Sequence, residues 1–139
     1  TEVVLVNILL GIEEKRIQDL RITDTVDSVI QRVIKEIHTI LEHNSQKADR
    51  ILGIGIGIPG LIDPKRGYIS YSPEMNWRDV NMKELFCKNF DGEIVIEERT
   101  RAMASAEMRI GRAQNVKNFL YVNNSSGIGS AIVMNGKLY

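Results

Sequence analysis

Strand-like and helix-like segments alternate along this chain, and that alternation predicts an α/β layered fold. Three stretches carry the prediction. Residues 25–44 repeat apolar side chains every three or four positions, residues 51–58 alternate isoleucine with glycine, and residues 93–98 read as a strand before an alanine-rich helical run.

In chain order, residues 2–9 are almost wholly apolar and rich in β-branched side chains. A turn at Gly11 follows, then a run over residues 16–22 in which Ile17, Leu20 and Ile22 sit among charges; together these predict a hairpin. From Thr25, the residues Val26, Val29, Ile30, Val33, Ile34, Ile37, Ile40 and Leu41 form one stripe, with Asp24 or Thr25 as N-cap. An amphipathic helix ending near Asn44 is predicted. Gly53, Gly55 and Gly57 leave one side of the 51–58 strand without bulk, which predicts a closely packed neighbour on that side. Asp63-Pro64 and Arg66-Gly67 mark turns. Asn81, with Glu84 three residues on, has the form of a capping box opening a short helix over residues 82–90. Residues 101–110 contain neither Gly nor Pro and predict a helix stopped by Gly111. Strands over 118–123 and 130–134 complete the series, and Asn135-Gly136 is a hairpin signal.

A length of 139 residues suits one domain, and 43% hydrophobic with 26% charged residues excludes a disordered or fibrous chain. Lys and Arg number 18 against 18 Asp and Glu, with no run of five like charges. This stretch therefore lacks the basic surplus of a nucleic-acid-binding surface. Its apolar runs fall well short of the ~18 residues that cross a bilayer, and the N-terminus lacks the pattern of a signal peptide. The single cysteine, Cys87, excludes an internal disulfide and lies in an amphipathic segment where a small buried thiol is expected. A cytoplasmic setting fits these features. The chain starts without Met and stops at Gly136-Lys137-Leu138-Tyr139, directly after a turn signal, as a piece of a longer protein would.

Gly55, Gly57 and Gly60 satisfy the spacing G-x-G-x-x-G, but Pro59-Gly60 leads into residues without helical period, so the dinucleotide-binding reading fails. The same residues read either as packing or as a turn, Gly57 to Gly60, at the strand end where open α/β sheets hold ligands. Asn124 to Gly129 is either a plain hairpin turn or a nest of backbone N–H groups and hydroxyls for a phosphate. His38 and His43 are five apart on the long helix and point about 140° from one another, which makes no metal pair. Trp77 reads as a core anchor before a sugar platform. Ser125 and Ser126 have no His and Asp nearby to form a triad.

Several pieces then fall in one order: Gly53 to Gly60 with Asp63; Tyr71-Ser-Pro-Glu-Met-Asn-Trp77; Ile96-Glu-Glu-Arg-Thr-Arg-Ala-Met-Ala104 with Glu107; Asn118 to Val122; Gly127-Ile-Gly129; and Gly136 to Tyr139. In that order the chain resembles the ROK family of bacterial repressors and sugar kinases. It is closer to the regulators, of the xylose-repressor and N-acetylglucosamine-repressor type. The resemblance implies a ribonuclease-H-like fold of the actin-like ATPase superfamily, a mixed sheet with flanking helices. Residues 1–139 would be part of the N-terminal domain of two, with the first strand and a DNA-binding helix-turn-helix before Thr1. The C-terminal domain and a structural zinc motif would follow Tyr139.

Family kinases carry Glu-Asn-Asp-Ala-Asn, whose aspartate takes the proton from the sugar hydroxyl. On this chain the motif falls on Glu97, Glu98, Arg99, Thr100 and Arg101, so the base position holds a permanent cation. The sugar-contacting asparagine after the proline becomes Glu74, followed by Asn76, and the second phosphate loop becomes Ser125-Ser126-Gly127-Ile128-Gly129. These departures weaken or remove ATP binding. The resemblance thus implies a ligand set of Gly57, Pro59, Gly60, Glu74, Asn76, Glu98, Arg99 and Arg101, with Ser125, Ser126, Gly127 and Gly129 as the phosphate-like loop and no catalytic residue. The expected function is the effector-sensing, dimerising part of a sugar-responsive repressor that binds a carbohydrate or a sugar-derived effector unlike a neutral hexose. The alternative is a divergent glucokinase-like enzyme using Asp63 or Glu98 as base, with ATP and Mg. A structural module with an empty cleft is the third reading.

Overall fold

Two units divide the residues that the computed structural model describes, which are 1–19, 21, 23–125 and 127–139. The first comprises Thr1–Gly53 with Leu85–Glu93, the second Ile54–Glu84 with Ile94–Tyr139.

In the first unit, β1 (Glu2–Val6) and β2 (Ile12–Ile17) pair antiparallel. Their turn is shaped by the Asn7 side-chain oxygen, which accepts from the backbone N–H groups of Leu9 at 2.9 Å and Gly11 at 3.0 Å. The second strand thus begins at Ile12, four residues before the expected run, and Leu20 and Ile22 lie outside the described residues. Helix α1 (Val26–His43) follows, with Thr25 capping it through a 3.2 Å bond from the Ser28 N–H to the Thr25 hydroxyl. Its stripe is buried at Val29, Ile30, Ile34 and Ile40, as the period predicts. Glu36 is also buried, at 7% exposure, because the Arg16 Nε and Gln18 Nε2 groups donate to its carboxylate. Glu14 and Arg16 are half-buried, whereas Ile17 is 65% exposed. Asn44 closes the helix, and a short α2 (Ser45–Ala48) follows that the periodicity did not reveal.

In the second unit, β3 (Gly53–Ile58) pairs with β7 (Glu93–Glu98); the first residue of each strand belongs to the first unit. The strands β4 (Leu61–Asp63), β5 (Tyr68–Ser72) and β6 (Trp77–Asn81) form an antiparallel meander. From the sequence only its turns were legible. These strands span three to five residues and mix Ser, Asp and Arg with Tyr, Ile and Trp, so their alternation is too short to register.

Helix α3 (Met82–Cys87) starts with the predicted capping box: the Glu84 N–H donates to Asn81 Oδ1 and Asn81 Nδ2 to Glu84 Oε2, both at 3.2 Å. Met82 and Phe86, four apart, take the buried face, so Cys87, one step further round, is exposed rather than buried. Helix α4 (Arg99–Ile110) begins two residues earlier than expected, directly after β7. β8 (Phe119–Asn124), β9 (Ile128–Met134) and β10 (Lys137–Leu138) form the last antiparallel sheet. Asn135 and Gly136 make the hairpin with φ of 52° and 71°.

The second unit's core collects Ile58, Ile69, Trp77, Val80, Met82, Ile96, Ala104, Ala131 and Val133, so Trp77 is the core anchor expected of it. The glycine side of β3 differs from expectation. A Cβ at Gly55 would meet nothing within 4 Å, and at Gly57 only the Arg99 Cα at 3.9 Å, so among the described residues close packing is confined to Gly53. No described helix is long and apolar enough to cross a membrane.

Candidate functional site

The end of β7 and the start of α4 concentrate the charged residues singled out above. Glu98 is the N-cap of α4, its Oε2 accepting from the Arg101 N–H at 2.9 Å. Glu97 Oε1 accepts from the Glu98 N–H at 2.9 Å and from Arg101 Nε at 3.0 Å, and Arg101 Nη1 also donates to the Tyr139 carbonyl. The strand-to-helix transition thus uses two carboxylates to satisfy its own backbone N–H groups, and the Arg101 guanidinium ties Glu97 to the Tyr139 carbonyl.

Beside it lies an open depression of about 320 Å³. Gly60 lines it from the β3–β4 turn, Leu61 and Ile62 from β4, Glu98 from the end of β7, Thr100 and Arg101 from α4, and Gly129 with Ser130 from β9. Gly60 sits at φ 129°, where a side chain would collide with the Tyr71 carbonyl and come within 2.8 Å of the Ser72 Cα. Only glycine permits that approach. At Gly129 a side chain would strike the Thr100 hydroxyl, so the absence of a Cβ brings β9 against the first turn of α4.

Glu74 and Arg99 are not among the residues lining that depression; they bind each other. Arg99 Nη1 and Nη2 reach the two Glu74 oxygens at 3.3 and 3.0 Å, an end-on fork that joins the β5–β6 turn to α4. The turn owes its shape to Asn76, whose φ of 53° is a left-handed conformation that Asn tolerates, and whose N–H donates to the Pro73 carbonyl at 3.3 Å. Arg99 Nε is buried with no hydrogen-bond partner among the described residues.

The expected ligand residues therefore sort into groups. Gly60, Glu98, Arg101 and Gly129 meet at the depression; Glu74 and Arg99 form the pair, shaped by Asn76; and Gly57 and Pro59 lie on the approach to Gly60. Ser125 and Gly127 turn toward each other, the Ser125 N–H donating to the Gly127 carbonyl at 3.0 Å, so that amide is already paired within the hairpin. Ser126 lies outside the described residues. Thr100 and Ser130 were missed. Their signal was the small-residue approach at Gly129, which a strand pattern alone does not expose.

Both carboxylates named above as alternative bases, Asp63 and Glu98, accept hydrogen bonds from backbone N–H groups. Asp63 Oδ1 accepts from the N–H groups of Lys65 at 3.1 Å and Arg66 at 3.2 Å, and Glu98 caps α4. Among the described residues no three His, Cys, Asp or Glu side chains gather as metal ligands. What the arrangement offers chemically is a set of fixed donors and acceptors beside an open depression of mixed lining.

A family model described as the ROK family matches residues 4–139. The xylose repressor of Bacillus spizizenii is 36% identical over 107 residues, 77% of this chain and 28% of the repressor. The glucokinase of Halalkalibacterium halodurans is 30% identical over 96 residues, 69% of this chain and 29% of the kinase. The crystal structure of a ROK family transcriptional regulator described as a homologue of the E. coli MLC protein superposes with a TM-score of 0.88 at 24% identity, covering 99% of this chain and 35% of that one. The chain thus spans under a third of the curated relatives it matches, and its fold is the sugar-kinase-like, actin-like ATPase fold.

Proposed function

The chain belongs to the ROK family, and from that premise we propose that it is the effector-sensing part of a sugar-responsive transcriptional regulator that no longer phosphorylates its sugar. One observation carries the reading. The position that corresponds to the catalytic base holds Arg99, which stays protonated at any working pH and is already engaged end-on by Glu74. The carboxylates nearest in role, Asp63 and Glu98, are occupied by backbone N–H groups. In this reading the described residues offer no uncommitted proton acceptor at the position of that base.

In this proposal residues 1–139 are part of the N-terminal actin-like domain of a cytoplasmic homodimer. DNA is held by a separate segment, and a carbohydrate binds around the depression at Gly60, Thr100, Arg101 and Gly129, with Glu98 fixing the helix start. Ligand then shifts an equilibrium between two dimer geometries by binding one better than the other. The pairing of charges beside this site changes the expected effector in one respect: Glu74 pairs with Arg99 and Glu97 with Arg101, which favours an uncharged polyol over a charged ligand.

A coupled ADP-release assay on the full-length protein with a panel of hexoses and ATP tests this. Background turnover, with Arg99→Asp restoring at most slow turnover, is expected; robust turnover by the native protein refutes the regulator reading. The glucokinase relative supports the second reading, a divergent kinase, for which ATP and Mg would be required.

A further inference from the structure

Thr100 and Ser130 bring two hydroxyl groups to the depression, and among the described residues neither hydroxyl makes a hydrogen bond. The charged residues of the same lining differ. Glu98 accepts from the Arg101 N–H, and Arg101 donates to Glu97 and to the Tyr139 carbonyl.

Thr100 stands in the first turn of α4, only 2% exposed, where the kinase motif quoted above carries alanine. Burying a hydroxyl that has no partner costs free energy that a methyl group in its place would not. Its oxygen is nevertheless not sealed in. The fully buried side-chain atoms without a partner among the described residues are Ser72 Oγ and Arg99 Nε, so the Thr100 oxygen keeps contact with solvent, at the depression it lines. Gly129 preserves that opening, because a side chain there would strike the Thr100 hydroxyl. Ser130, next on β9, adds the second hydroxyl.

Leu61 and Ile62 of β4 give the lining its apolar part. A sugar ring matches this division: its C–H groups suit apolar side chains, and its hydroxyls need partners that both donate and accept. Ser and Thr hydroxyls do both, whereas a guanidinium only donates and a carboxylate only accepts.

We infer that Thr100 and Ser130 determine specificity at this site, by hydrogen bonding the hydroxyl groups of the ligand. Thr100 carries the larger share, because its oxygen is nearly out of water, where an unmade hydrogen bond costs more. The assignment rests on the carbohydrate reading and adds to it the two contacts that decide which sugar is accepted.

The experiment is titration calorimetry of the full-length protein with D-xylose, D-glucose and their monodeoxy analogues, on native protein and on Thr100→Val, Thr100→Ser and Ser130→Ala. Thr100→Val keeps the branched shape and loses the hydroxyl, so affinity for the accepted sugar should fall about tenfold, and Thr100→Ser should restore it to within about twofold. Ser130→Ala, at an exposed hydroxyl, should cost about threefold. One monodeoxy analogue should bind the native protein as weakly as the parent sugar binds Thr100→Val, and should lose nothing further in that variant. A merely structural role for Thr100 would instead weaken the parent sugar and every analogue alike. The unfolding midpoint of Thr100→Val should be no lower than that of the native protein, since an unpartnered hydroxyl is removed. Sugar affinity untouched by Thr100→Val and Ser130→Ala overturns the assignment and leaves the carbohydrate reading standing, as does an equal loss for the parent sugar and all its analogues. A native protein that binds none of these sugars overturns both.

Discussion

The two units manage charge in opposite ways. In the first, β2 turns Glu14 and Arg16 toward the helix, and the buried Glu36 is satisfied by Arg16 and Gln18 across that contact. In the second, Ile69, Ile96 and Val133 make an apolar interior, and the charged residues stand at the helix start and the turn beside the depression. The difference teaches that an amphipathic pattern does not guarantee an apolar contact. A carboxylate can occupy a buried helix position when its donors arrive from a strand far away in sequence.

Truncating the apolar anchor should give the largest effect. Trp77→Ala removes a side chain that is 4% exposed in the second unit and should cost about 3–5 kcal/mol, read from denaturant unfolding. Retention of native stability would mean that this interior does not depend on its anchor.

Acid should then separate the units. Glu36 is held below the ordinary carboxylate range chiefly by the hydrogen bond from Arg16, Glu14 chiefly by that from His43, and Asp24 chiefly by the backbone N–H of Arg21. A depressed carboxylate adds stability above its unfolded value, near pH 4, and loses it as pH falls through the folded value. Amide protection on α1 should therefore drop first on acidification, and Glu36→Gln should lower protection at neutral pH and flatten that decline. Tyr68 in the second unit runs the other way. Burial first, and then its hydrogen bond to Asp79, raise its phenol, so its contribution is complete below about pH 10 and fades as pH climbs past that value. Equal acid sensitivity of the two units would break the comparison.

The smallest expected effect is at a cap. Thr25→Ala should destabilise α1 by ~1 kcal/mol, visible as faster exchange in its first turn and little change in β8 and β9.

Helix α1 was legible because its stripe runs for five turns and Thr25 and Asn44 are good terminal residues. β7, α3 and the Asn135-Gly136 hairpin were legible because their signals are local. The meander was not, since pairing among three short strands supplies the stability that no single strand's pattern announces. Of the candidate site, the charged cluster at residues 97–101 and the Gly60 turn could be read from order and spacing. Thr100 and Ser130 could not, because they reach the depression only through the close approach of β9 to α4 at Gly129.

By itself the sequence determined the alternation of helices and strands, the caps and turns, and the chemistry at residue 99, because each depends on neighbours within a few residues or on a side chain's own protonation. Tertiary structure alone decided that Glu74 would meet Arg99 and that Glu36 would be buried against Arg16. Those outcomes depend on which distant groups share a small volume, and a hydrogen bond acts only within about 3 Å.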